Sequence, residues 1–206
     1  MALWKRLWLL PALCLMAALH ASAADKTLVC FGDSITAGYG LDADKSYPAA
    51  LESLLDGRGY HYRVVNEGVS GNTTKDAVTR VNSIVALHPE VVVVEFGGND
   101  GLRGLPLDTT RQNLDSVLTT LQAAKIRILL VGITLPPNYG AEYIEKFNAL
   151  YRDAANKHHV ALMPMIYDHI YTVPGTIQED GIHPTAKGSQ LIAMHMAPLL
   201  IPILHK

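Results

Sequence analysis

Cysteine is scarce in this 206-residue chain, which holds only Cys14 and Cys30. Cys14 falls in an apolar stretch near the N-terminus, so Cys30 has no partner for an internal disulfide, and a disulfide-built scaffold is excluded. Tryptophan is equally rare. Trp4 and Trp8 both lie in that same stretch, leaving the remaining chain without an indole to stack on a sugar ring, although nine tyrosines could substitute. A charge excess of either sign is also missing: 17 Lys+Arg face 19 Asp+Glu, a formal charge of −2. With no basic surplus and no charge run, a nucleic-acid partner is not expected. Two phosphate-binding signatures are absent as well, a Gly-x-Gly-x-x-Gly after the first strand and a glycine-rich loop ending in Gly-Lys-Ser/Thr, which weighs against a nucleotide- or flavin-binding module. No apolar run reaches the ~18–20 residues of a membrane-spanning helix, so no integral membrane segment is expected.

What is present is the composition of a compact globular protein, 49% hydrophobic and 17% charged. Lys5 and Arg6 precede an apolar run from Leu7 to Leu19 that ends in Ala21-Ser22-Ala23, the pattern of a secretory signal peptide. Residues 1–23 are therefore expected to be removed near Ala23, placing the mature protein in the periplasm or outside the cell. The remaining stretch, 24–206, carries 15 basic and 19 acidic residues, a formal charge of −4. It shows no linker, repeat or low-complexity segment and is expected to form one domain.

Along that stretch, short apolar runs alternate with longer segments of helical period. Strands are expected at 27–31, 62–66, 91–96, 127–133 and 160–164, and helices at 46–58, 74–87, 109–124, 141–158 and 185–197. Val91-Val92-Val93-Val94 is continuously apolar and β-branched, which suits a central strand covered on both faces. Repeated β-α alternation predicts an α/β fold with a five-stranded parallel sheet between helical layers, and ligands at the carboxyl ends of the strands.

Polar, glycine-rich segments follow those ends: Gly32-Asp33-Ser34-Ile35, Glu67-Gly68-Val69-Ser70-Gly71, and Gly97-Gly98-Asn99-Asp100. Asp180-Gly181-Ile182-His183-Pro184 precedes the last helix. A serine hydroxyl is a poor nucleophile until an imidazole takes its proton, and the imidazole works best when a carboxylate holds its tautomer. Ser34, His183 and Asp180 can fill these roles, because three residues of spacing let one turn of chain set the carboxylate against Nδ1. Asp33 and Asp100 are rival carboxylates, but next to sharp turns they are expected to satisfy backbone N–H groups instead. Oxyanion donors are expected in the backbone N–H groups of Ser34 and Gly71 and the side-chain amide of Asn99, with Gly68 the alternative to Gly71. Cys30, in the run Leu28-Val29-Cys30-Phe31, reads as a buried inert thiol.

These four segments, in this order, resemble the four blocks of the SGNH hydrolases, also called the GDSL family. Gly97 through Gly104 and the loop Leu135-Pro136-Pro137-Asn138-Tyr139-Gly140 extend the likeness to exported bacterial thioesterases that also act as arylesterases and lysophospholipases. The resemblance implies a flavodoxin-like three-layer α/β/α sandwich and hydrolysis of esters and thioesters through an acyl-serine, with no metal and no cofactor. It also implies oxyanion donors at Ser34, Gly71 and Asn99. Ile35, Pro137 and Tyr139 are expected to touch a small-molecule or lipid ester substrate, and a monomer is expected. The alternatives are a carbohydrate or xylan acetylesterase of the same family, and a binding module without turnover.

Overall fold

A computed structural model describes residues 26–206; the signal peptide expected over residues 1–23 and its expected cleavage position lie outside the described residues. Five parallel strands form one sheet in the order β2-β1-β3-β4-β5: β1 Lys26–Gly32, β2 Tyr62–Gly68, β3 Val91–Glu95, β4 Arg127–Val131 and β5 Ala161–Met163. The central strands owe their place to composition. Val91 to Val94, like Leu28 to Phe31, are fully buried, so β-branched and large apolar side chains are covered on both faces.

Helices α1 Ser34–Ala37, α2 Tyr47–Asp56, α3 Thr74–Val85, α4 Gly98–Leu102, α5 Leu107–Ala123, α6 Ala141–His158 and α7 Ala186–Leu200 complete the chain. α2 packs on α7, whereas α3 packs on α5 and α5 on α6, giving the two outer layers of an α/β/α sandwich. After β1 the chain moves one way to β2, then returns across the sheet to β3 on the other side of β1. The strand order therefore reverses between β1 and β3, where a doubly wound sheet opens a crevice at the carboxyl ends.

Several boundaries differ from the sequence expectation. β4 ends at Val131 rather than 133, because Gly132 turns against β5's exit: its N–H donates to the Met163 carbonyl at 2.8 Å, and a Cβ there would lie 2.2 Å from the Pro164 oxygen. α7 continues past 197 to Leu200 although Pro198 removes one backbone donor, since Met196, Ala197 and Leu200 are all fully buried. α1 and α4 were not expected at all. The Cys30 thiol is buried, and desolvation pushes it far above the ordinary thiol range, so it is inert.

Candidate active site

The rim begins where β1 runs out. Asp33 caps α1, accepting the Ile35 N–H at 3.0 Å, and Gly38 closes that single turn in the left-handed region at φ 77°. Ser34 thus sits at the first position of a helix, at the carboxyl end of an interior strand. A second rim segment, 69–73, is held from three sides. Arg80 donates to the Asn72 side chain and to the Glu67 carbonyl, both at 2.8 Å, Arg103 to the Gly71 carbonyl at 2.9 Å, and Asn99 Nδ2 to the Asn72 carbonyl at 2.9 Å.

The last segment, 164–185, contains no named helix or strand and is pinned by side chains. Tyr167 donates its hydroxyl to the Ile182 carbonyl at 2.7 Å. Gln178 Nε2 donates to the carbonyls of Tyr39 and Pro184, at 2.7 and 2.8 Å, and the Gln178 N–H to the His183 carbonyl at 2.8 Å. This clamp brings His183 to Ser34 across 149 residues of sequence.

At the centre, Ser34 Oγ lies 2.8 Å from His183 Nε2, and His183 Nδ1 lies 2.6 Å from Asp180 Oδ2. The other Asp180 oxygen accepts the backbone N–H groups of Ile182 at 2.9 Å and His183 at 3.0 Å. Partial desolvation opposes ionisation of Asp180, but the ring and backbone hydrogen bonds outweigh it and hold the carboxyl down to about 2. An ionised Asp180 is acceptor-only, so Nδ1 carries a hydrogen and Nε2 is left to accept the Ser34 hydroxyl. Tyr39 tilts over the imidazole with ring centroids 4.5 Å apart.

The cavity in front of Ser34 has a volume of about 240 Å³ and an apolar floor of Ile35, Leu102, Ile133 and Ile182, with Gly71 and Asn99 on its wall. Of the two glycines in the second segment, Gly71 lines this cavity and adopts φ +82°, where a side chain would be strained. Gly68 has a different duty. A Cβ there would stand 2.1 Å from the Ala37 nitrogen, and its N–H donates to the Asn66 side chain at 2.9 Å, so it is the contact point of β2 with α1.

Not every expected residue reaches the cavity. Pro137 and Tyr139 do not line it; Tyr139 donates its hydroxyl to the Leu102 carbonyl at 2.7 Å and so touches the cavity only through a lining neighbour. Asn99 is on the wall, but both hydrogens of its amide have partners, Asn72 O and Asp33 Oδ2, the latter at 3.1 Å. Asp100 is 2% exposed and accepts the N–H and hydroxyl of Thr74 and the hydroxyl of Thr110, tying α4 to α3 and α5.

Tyr39, Leu102 and Ile133 in the lining, and Glu95 behind it, were not singled out from the sequence, whereas Ser70 and Ile182 lie within the segments expected at the rim. Burial pushes Asp33 up to about 6 and Glu95 well above the carboxylate range. Among the described residues no group of three or more His, Cys, Asp or Glu could hold a metal ion, and no helix is long and apolar enough to cross a membrane.

Comparison with known proteins gives concordant results. Residues 30–191 match the GDSL-like Lipase/Acylhydrolase family. The chain is 41% identical over 187 residues to Esterase TesA of Pseudomonas aeruginosa, covering 90% of this chain and 93% of that protein. It is 38% identical over 199 residues to Thioesterase 1/protease 1/lysophospholipase L1 of Escherichia coli K12, covering 96% and 94%. A crystal structure of TesA superposes with a TM-score of 0.83 at 40% identity, covering 87% of this chain and all of that one.

Proposed function

The chain belongs to the GDSL-like lipase/acylhydrolase family and is an ester-cleaving hydrolase, and from that premise we propose that it cleaves carboxylic esters and thioesters through an acyl-Ser34 intermediate. The observation that carries this reading is the unbroken chain from Ser34 Oγ through the His183 ring to Asp180, 2.8 and 2.6 Å, opening onto an apolar cavity. Ser34 attacks the acyl carbon as its proton passes to Nε2, and Asp180 stabilises the resulting imidazolium. The oxyanion is received by the N–H groups of Ser34 and Gly71, for which the described residues provide no other acceptor. Asn99 joins them by turning the hydrogen it now gives the neutral Asn72 carbonyl toward the stronger, charged acceptor. His183 then protonates the departing alkoxide or thiolate. Water, deprotonated by the same nitrogen, cleaves the acyl-serine to carboxylic acid and free enzyme.

Residues 1–23 direct export, and hydrolysis takes place in the periplasm or outside the cell. All the proposed groups come from a single chain, so a monomer suffices. A cavity floor of isoleucine and leucine favours an acyl chain longer than acetyl, which places aryl esters, acyl thioesters and lysophospholipids ahead of acetylated sugars. The test is hydrolysis of p-nitrophenyl esters from acetyl to palmitoyl by the mature protein, with Ser34→Ala beside it. Turnover that vanishes in Ser34→Ala, with an optimum beyond acetyl, is expected. Full activity in Ser34→Ala would overturn the mechanism, and strict acetyl preference would move the carbohydrate acetylesterase reading to the front.

A further inference from the structure

Two carboxyl groups lie behind the nucleophile with no cation to balance them. Glu95 is fully buried and Asp33 is 2% exposed, and neither takes part in an ion pair among the described residues. The sheet itself brings them together: Gly32, which precedes Asp33, is paired in register with Glu95 across β1 and β3, Thr36 of the single turn that Asp33 caps donates its hydroxyl to Glu95, and each carboxyl shifts the ionisation of the other. Two ionised carboxylates in contact, in a low dielectric and without a counter-charge, repel too strongly to persist, so one of them holds a proton.

The surrounding donors identify which. Asp33 receives two N–H groups, Ile35 N on Oδ1 and Asn99 Nδ2 on Oδ2. Glu95 receives one hydroxyl on Oε2, from Thr36 at 2.9 Å, and Thr36 is in turn 2.9 Å from the Tyr47 hydroxyl. Glu95 Oε1 is buried and makes no hydrogen bond. A buried carboxylate oxygen without a donor is costly, whereas a carboxylic acid O–H there needs only an acceptor, which Asp33 supplies. Every proton in the series then points one way: Tyr47 to Thr36, Thr36 to Glu95, Glu95 to Asp33, with Asn99 converging on Asp33 from the other side.

We propose that Glu95 is a positioning residue that stays protonated in the working enzyme, donating to Asp33 so that the Asp33 carboxylate can hold the Asn99 amide at the wall of the acyl cavity. The idea rests on the reading of Ser34 and Asn99 given above, although the proton itself does not. Its role is to keep a single negative charge under Asn99. If Glu95 were ionised, Asp33 and Glu95 would separate and the amide would follow. If Glu95 were apolar, Asp33 would lose one of its three donors and Thr36 its acceptor. The other titratable groups facing the pair are the Tyr47, Tyr151 and Tyr167 hydroxyls, held neutral by burial, and His183, whose positive form favours Asp33 ionisation.

The experiment compares Glu95→Gln and Glu95→Leu with the unaltered chain. Glutamine keeps the shape and offers an N–H where the acid offers an O–H. It should therefore hydrolyse p-nitrophenyl esters within about threefold of the parent with an unchanged pH profile, whereas leucine should lower kcat about 10- to 100-fold at little change in KM, less than the roughly 10²- to 10³-fold cost of removing an oxyanion donor outright, because Asn99 is loosened and not lost. Infrared difference spectra read the proton directly and independently of activity. A protonated-carboxyl C=O stretch should be present at pH 7 in the parent and missing from Glu95→Gln, whether or not Ser34 proves to be the nucleophile. Absence of that band in the parent overturns the proposal. So does a Glu95→Gln variant as impaired as Glu95→Leu, because that would mean a charge at Glu95 is required.

Discussion

Replacing Asp180 by asparagine should do more harm than removing its side chain altogether. In the folded protein one Asp180 oxygen accepts two backbone N–H groups, from Ile182 and His183, while the other accepts Nδ1–H of the imidazole. An asparagine has one oxygen and one NH2, and the pair of backbone donors can be satisfied only by the oxygen, so the NH2 must face Nδ1. Nδ1 then becomes the acceptor, the hydrogen moves to Nε2, and Ser34 meets a donor where it needs a base. The same substitution in a serine protease triad lowers kcat about 10⁴-fold through the wrong tautomer, equivalent to ~5.4 kcal/mol of barrier at ~1.36 kcal/mol per decade. Alanine leaves the two backbone donors to water at a partly exposed site and lets the ring adopt either tautomer, so a smaller loss than in Asp180→Asn is expected. The assay is kcat on a medium-chain p-nitrophenyl ester at pH 8, with circular dichroism to establish that both variants fold. Asp180→Asn retaining more activity than Asp180→Ala would refute the argument from the fixed amide orientation, and with it the tautomer assigned to His183.

Other outcomes follow from neighbouring parts of the structure. Gly68→Ala should fail to fold or melt far below the parent, since its Cβ would stand 2.1 Å from the Ala37 nitrogen, whereas Gly71→Ala should fold with a strain of about 1–2 kcal/mol and a lowered kcat; equal thermal stability of the two would contradict the division of labour between these glycines. Asp100→Ala should destabilise the protein by about 2–4 kcal/mol in urea titrations, because the buried Thr74 N–H and the Thr74 and Thr110 hydroxyls lose their acceptor. The pH dependence of stability has a defined sign. Carboxyls raised by burial, Asp33 to about 6 and Glu95 further, contribute stability that is present below the unfolded carboxylate range and lost as pH rises through their folded values. Asp180, lowered to about 2, acts only as pH falls below that range. Between pH 5 and 8 the unfolding free energy should therefore fall more steeply in the parent than in Glu95→Gln, by up to about 1.4 kcal/mol per pH unit for one retained proton, and parallel curves in calorimetry would contradict it.

The sheet was legible because strands covered on both faces must be apolar without alternation, and Val91 to Val94 leaves little else to build. α6 falls at 141–158 as expected, its apolar positions recurring over 18 residues. α1 and α4 were invisible for the opposite reason: four or five residues are too few to show a period, and their caps, Asp33 and the positive φ of Gly97, mean the same as ordinary turns until the backbone is known. Ser34, Asp180 and His183 could be picked out because the chemistry of acyl transfer demands those residue types, and the loops that bring them together were marked by glycine and proline. Pro137 and Tyr139 were placed at the substrate on proximity to the fourth strand's end, but a tyrosine's reach depends on which carbonyl its hydroxyl finds, here Leu102. Glu95 drew no notice in the sequence, where it lay inside the strand expected at 91–96; its place beside Asp33 is a property of the register between β1 and β3, which local sequence does not carry.

The distance along the chain between Ser34 and His183 has a consequence for biosynthesis. Ser34 meets His183 only through segment 164–185, which has no named helix or strand and is held by the Tyr167 and Gln178 side chains. A chain emerging from its N-terminal end completes β1 through β5 before that segment exists. Until that segment is in place Ser34 and His183 are apart, so a site built from them assembles only once the full-length chain has folded and α7 has docked.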